Sequence, residues 1–196
     1  MDWGAFLTTN EGVPWWTPKT TPLSFVRKET RSVGRYLTRI DTHLSVGQPC
    51  MAFICAHGQG GRDGPYCELT GGDKLWRIEL IAADAKYPVL CDIYIFTLVY
   101  PQPVPEWGIA IWDEAGQCVL TSDTKPLAME GEYRTTQTLK VRGKKAILMQ
   151  TTGWLSSTID SPDSPMKQYR NTSFSAVFNG QDTQFIPAAV SGSTAL

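Results

Sequence analysis

Hydrophobic positions along this chain come in short runs separated by turn residues. No run holds a 3.6-residue apolar period over the ~10–12 residues of an ordinary helix. In the first half, Leu23-Ser24-Phe25-Val26 and Tyr36-Leu37-Thr38-Arg39-Ile40 mix apolar and polar positions as strands do. Cys50 to Ala56 is continuously apolar, the pattern of a strand covered on both faces. Leu75 to Ile81 reads as a half-buried strand and Leu90 to Val99 as a long apolar one. Between them, His57 to Pro65 is rich in glycine and predicts a loop.

The second half follows a similar outline. Ile109 to Trp112 and Cys118 to Leu120 are two β-favouring runs joined through Asp113-Glu114-Ala115-Gly116, which predicts a hairpin with Gly116 at positive φ. Further strands are expected within Thr136–Val141, Ala146–Gly153, Ser173–Phe178 and Thr183–Ile186, with a loop at Ser161–Pro165. Each half thus yields about seven short strands, which predicts an all-β protein of β-sandwich type.

A repeat ties the halves together. Trp3 to Leu23 aligns without a gap on Trp107 to Leu127, pairing Trp3, Gly4, Gly12, Pro22 and Leu23 with Trp107, Gly108, Gly116, Pro126 and Leu127. Thr17 and Thr20 likewise meet Thr121 and Thr124. The simplest organisation is two tandem sandwiches from an internal duplication, residues 1–100 and 107–196, joined by a stiff proline-rich linker at 101–106. The alternative is one larger sandwich in which the halves pair about a pseudo-twofold axis. The shared tryptophans, glycines and Pro-Leu exits are expected to be scaffold.

Composition narrows the function classes. With 42% hydrophobic and 19% charged residues and a net charge of −1, the chain has no electrostatic reason to bind nucleic acid or an anionic membrane. Its longest apolar run is too short for a membrane-spanning helix, and the first residues lack the pattern of a secretory signal, so synthesis in a cytoplasm is expected. Five irregularly spaced cysteines read as free thiols.

Searching for chemistry yields little. The chain has two histidines, His43 and His57, and neither a G-x-S-x-G elbow nor an H-E-x-x-H motif. Cys55, His57 and Cys67, with Cys50 as a fourth ligand, form the one candidate metal cluster, but their spacing is not that of a zinc knuckle. The carboxylates, among them Asp63, Asp73, Glu79, Asp92, Glu106, Asp113 and Glu114, offer no recognisable catalytic pair. No cofactor, metal or catalytic residue is assigned, and an enzyme is not expected. Seven tryptophans suggest instead an aromatic contact surface. The adjacent Trp15 and Trp16, which would face opposite ways on a strand, are candidate interface residues, with Gly58, Gly60, Gly61 and Arg62 of the glycine-rich loop. The end from Ile186 to Leu196 is a second candidate contact element, expected to be mobile when unbound.

The hairpin phrase carries a resemblance. Trp107-Gly108-Ile109, Gly116, Val119, Ser122-Asp123 and Pro126-Leu127 resemble the form aromatic-Gly-aliphatic, Gly, Val-x-x-Ser, Pro-Leu seen in small tail-associated proteins of siphophages. The first copy departs from it at Trp15-Trp16 and Pro18-Lys19. The resemblance implies a non-enzymatic virion component of the tail or tail tip, made in the host cytoplasm and docking on other tail proteins in several symmetric copies. A carbohydrate- or receptor-binding module using exposed aromatics, on a host surface glycan or receptor, is the competing expectation.

Overall fold

The computed structural model describes residues 7–8, 14–16, 23–59, 64–82, 88–98, 101–131, 138–159 and 166–192. Among them every regular element is a strand: β1 (Leu7–Thr8), β2 (Pro14–Trp16), β3 (Ser24–Val33), β4 (Thr38–Ser45), β5 (Cys50–His57), β6 (Tyr66–Gly71), β7 (Leu75–Ile81) and β8 (Val89–Thr97). After the proline-rich stretch come β9 (Ala110–Trp112), β10 (Cys118–Thr121), β11 (Leu139–Arg142), β12 (Ile147–Leu148), β13 (Thr151–Ile159), β14 (Met166–Phe178) and β15 (Asp182–Gly192). No helix among the described residues is long and apolar enough to cross a membrane.

The strands form a β-sandwich-like all-β fold. An eight-stranded sheet runs in the order β11-β15-β14-β5-β8-β3, with β12 also pairing β5 and β13 also pairing β14. A three-stranded antiparallel sheet, β4-β7-β6, packs on one face of it. Alternation along the strands builds the core between them. Ala52, Ile54 and Ala56 of β5 and Cys91, Ile93 and Ile95 of β8 meet Ile40, Cys67, Ile78 and Leu80 of the smaller sheet in one buried cluster.

The eight-stranded sheet draws on both sides of residues 101–106. β5 pairs with β8 along one edge; its other edge takes β12 at Phe53-Ile54 and then, in parallel, β14 at Ala56-His57. Just after β12 the chain moves over to β14 and pairs with its first half as β13. Met149, Val177 and Ile186 complete the core begun by residues of the first half. A boundary at 100–106 therefore does not separate two sheets: a strand as apolar as β5 needs partners on both edges and cover on both faces, and the second half supplies part of each.

The repeat is visible in the backbone. In the first hairpin Leu7 opposes Trp16 and Thr8 opposes Pro14; in the second, Ile111 opposes Leu120 and Trp112 opposes Cys118. These pairs are equivalent under the sequence alignment, and both hairpins break register at the same point. The two exits then pair with each other. Leu127 N–H donates to Leu23 C=O at 2.7 Å, Phe25 N–H donates to Lys125 C=O at 2.7 Å, and Ser24 bridges Pro126 antiparallel. Leu23 and Leu127, aligned by the repeat, thus meet in one antiparallel pairing. Pro126 occupies the position between the hydrogen-bonded pairs, where its missing donor costs nothing.

A further expectation is corrected. The tail from Ile186 is not a free extension: as far as Gly192 it belongs to β15, paired residue by residue with β14. The remaining residues 193–196 lie outside the described ones, as do the expected loop at 161–165 and most of the first repeat, including Trp3, Gly4, Gly12 and Pro22.

Candidate functional site

The second face of the eight-stranded sheet carries the most unusual chemistry. Asp92 lies in the middle of β8, whose neighbours are almost all apolar, and is 2% exposed. A carboxylate cannot stay ionised there without partners. It has four. Thr30 Oγ1 on β3 donates to Oδ1 at 2.6 Å, while Oδ2 lies 3.0 Å from Lys28 Nζ, 2.9 Å from His57 Nε2 and 2.5 Å from Lys144 Nζ. Strand register explains the convergence: Thr30 opposes Asp92 on β3 and Cys55 opposes it on β5, two residues before His57. Lys144 arrives from the turn after β11.

Burial works against the Asp92 charge, but the hydrogen bonds from Lys144, Thr30, His57 and Lys28 outweigh it and hold this carboxyl far below the usual range. Lys144 responds in the opposite sense: desolvation lowers its affinity for a proton, and the adjoining Asp92 raises it by more. Both aromatic neighbours reinforce the cations, with Lys28 Nζ 5.6 Å from the Tyr94 ring centre and Lys144 Nζ 5.9 Å from that of Phe178.

Beside this cluster the sheet face opens into a pocket of 560 Å³. It is lined by Phe53 of β5, Tyr94 and Phe96 of β8, Phe174 and Phe185 of β14 and β15, and the segments 127–131 and 144–148. Lys144 belongs to both the pocket lining and the ion cluster. At the rim Lys145 pairs with Glu130. β5 is therefore apolar on both faces for two reasons, the core on one side and this pocket on the other.

The cysteine–histidine grouping considered for a metal does not converge: His57 turns to Asp92, and Cys67 donates to Phe174 C=O. Among the described residues no three of His, Cys, Asp or Glu are placed to hold a metal ion. Burial pushes the thiols of Cys50 and Cys55 up to about 11 and those of Cys67 and Cys91 to about 12. All are free.

A different kind of surface lies on the approach to β9. Trp107 is 84% and Ile109 69% exposed, and Val104 and Trp112 are also open to solvent. Trp107 was expected to be scaffold; its ring instead stands clear of the fold, because the chain reaches β9 through an irregular stretch with little covering it. Gly108 sits where a side chain would not fit. Its φ is +135°, and a Cβ there would lie 2.1 Å from Ser122 Oγ. Gly116 takes φ +76° in the turn, as expected, where Asp113 Oδ1 accepts from the N–H groups of Ala115 and Gln117.

Of the residues proposed for contact, Trp15 and Trp16 form β2, and Gly58 donates its N–H to Phe178 C=O at 3.1 Å. Gly60, Gly61 and Arg62 lie outside the described residues. Val119 and Leu120, aligned with Trp15 and Trp16, are both buried, since the register break between the hairpin strands interrupts simple alternation.

The architecture defines an all-β, sandwich-like protein with an aromatic surface and an ion-paired pocket. The chain belongs to a family of unknown function (DUF6453), whose model matches residues 76–181. That stretch contains Asp92, the exposed Trp107–Trp112 segment and Lys144, and leaves out Lys28, His57 and the first copy of the repeat. No curated protein and no solved structure matches the chain.

Proposed function

We propose that this chain is a non-enzymatic structural or adaptor component of a bacteriophage particle, built into the tail or tail tip after synthesis in the host cytoplasm. It docks on other tail proteins, in several symmetric copies. The observation that supports this reading is the exposed segment of Val104, Trp107, Ile109 and Trp112 on a low-charge β framework. Large apolar side chains so close together in sequence and so open to water are typical of a surface covered by another protein, where tryptophans are frequent anchors. The Asp92 carboxylate, the group nearest a catalytic arrangement, is itself taken up by Lys28 and Lys144. The reading is tested by replacing Trp107 and Trp112 with Ser: the doubly substituted protein is expected to fold normally by circular dichroism yet to be depleted at least ~10-fold from assembled particles. Equal incorporation would remove the support.

The exposed indoles also favour a second reading, a carbohydrate- or receptor-binding module. Glycan-array binding by the isolated protein, lost on Trp107→Ala, Trp15→Ala or Trp16→Ala, would support that reading over tail docking.

A further inference from the structure

We propose that the pocket on the outer face of the eight-stranded sheet binds a small amphipathic carboxylic acid, with rings or an alkyl chain against the aromatic walls and its anionic head on Lys144. The volume of 560 Å³ is within the ~300–1,000 Å³ of small-molecule sites. The walls supply apolar surface from Phe53, Tyr94, Phe96, Leu148, Phe174 and Phe185, so the body of the ligand must be apolar.

Charge decides the head group. Lys28 and Lys144 share the single carboxylate of Asp92, which leaves the closed end of the cluster one cation in excess, while Lys145 and Glu130 at the rim neutralise each other. An ammonium has three donors; Asp92 occupies one on Lys144, and His57 Nε2 lies 3.4 Å from the same nitrogen. The Lys144 side chain remains a third exposed, so an incoming carboxylate can reach its remaining donor. Asp92 meanwhile fixes where the ammonium sits. Cys55 adds no opposing charge, since burial keeps its thiol protonated up to about 11. An apolar body that excludes water from the pocket would strengthen the head-group contact, which is how a surface-weak ion pair becomes a recognition element.

The test uses two fluorescent probes that share their rings: 8-anilinonaphthalene-1-sulfonate, which is anionic, and N-phenyl-1-naphthylamine, which lacks the sulfonate. The full-length protein is expected to bind the anionic probe saturably at one site, with decanoate displacing it. Lys144→Gln should weaken the anionic probe ~10-fold and leave the neutral probe within ~2-fold, a difference that also shows the pocket is still folded. Ala128→Trp, placed on the exposed wall, should weaken both. Trp107→Ser/Trp112→Ser should change neither. The proposal is overturned by absence of saturable binding, by equal effects of Lys144→Gln on the two probes, or by loss of binding in the tryptophan double variant. Failure of decanoate to displace the probe would leave the pocket to a protein segment and also overturn it.

Discussion

Asp92 shows how one residue can organise a face of the molecule. It sits in a strand that has to be apolar, and it is tolerated because β3, β5 and the turn after β11 each bring it a donor. Asp92→Asn would leave Lys28 and Lys144 facing each other without a counter-charge. The expected loss is about 2–3 kcal/mol at neutral pH, less than the ~3–5 kcal/mol of fully buried pairs because both ammonium groups keep some water. The folded state holds the Asp92 carboxyl below its ordinary value of 3.8, so its contribution is complete above that value and is lost as pH falls below it. Lys144 is raised above its ordinary 10.5, so its share persists below that value and is lost as pH rises through the raised one. Denaturant titrations from pH 3 to 9 should therefore show the wild-type advantage over Asp92→Asn shrinking only at the acid end of that range. A constant difference would contradict this account. The presence of Asp92 inside the apolar run Leu90–Val99 was the one signal of the cluster in the sequence, since a buried carboxylate must be paired. Its partners could not be read there, because Lys28, His57 and Lys144 come from distant segments with no common spacing.

At the scale of elements, short strands with strong apolar runs were legible. Leu75–Ile81 is β7 with the expected ends, Cys50–Ala56 and Cys118–Leu120 lie on strands, and the run from Ile109 does so from Ala110 on. β6, β13 and the first half of β14 were not: Tyr66–Gly71 reads YCELTG, apolar and polar residues without strict alternation, and Met166–Phe178 opens on the mostly polar MKQYRNTS. What makes them strands is a long run of backbone pairing, which leaves no periodic trace in side chains. The repeated hairpin separates two uses of glycine. Gly108→Ala meets both an unfavourable φ and the Ser122 side chain, whereas Gly116→Ala meets only the φ, with open space around it. Urea unfolding should show a loss of about 1–2 kcal/mol at Gly116 and a clearly larger one at Gly108. Comparable losses at the two positions would indicate that the Ser122 contact relaxes freely. β3, at the edge of the large sheet, is protected in another way: Arg27, Glu29 and Arg31 pair along it and set charge where a bare edge would recruit other strands.

The arrangement of the whole molecule was the least legible. The repeated hairpin phrase is plain in the sequence, and its two copies keep the same register, but nothing local shows that the second half would complete the sheet of the first. The parallel contact of β14 with β5 and the meeting of Leu23 with Leu127 are long-range pairings, visible only once the chain is folded. One consequence is that residues 1–100 should not fold alone: β5 would lose one edge, and the core would lose Met149, Val177 and Ile186. That fragment is expected to show no cooperative thermal transition, and to regain one when mixed with residues 101–196. A cooperative transition like that of the full chain would contradict a shared sheet.

The proposed role depends on the finished surface, above all on the tryptophans that stand clear of it. The most direct measurement of the proposed tail role is quantitative mass spectrometry of purified particles from a phage whose genome carries this sequence. The account predicts this protein in the particles at a fixed ratio to the other tail proteins, retained after washing at high salt as an apolar contact would be. Its absence from intact, infectious particles would contradict the claim.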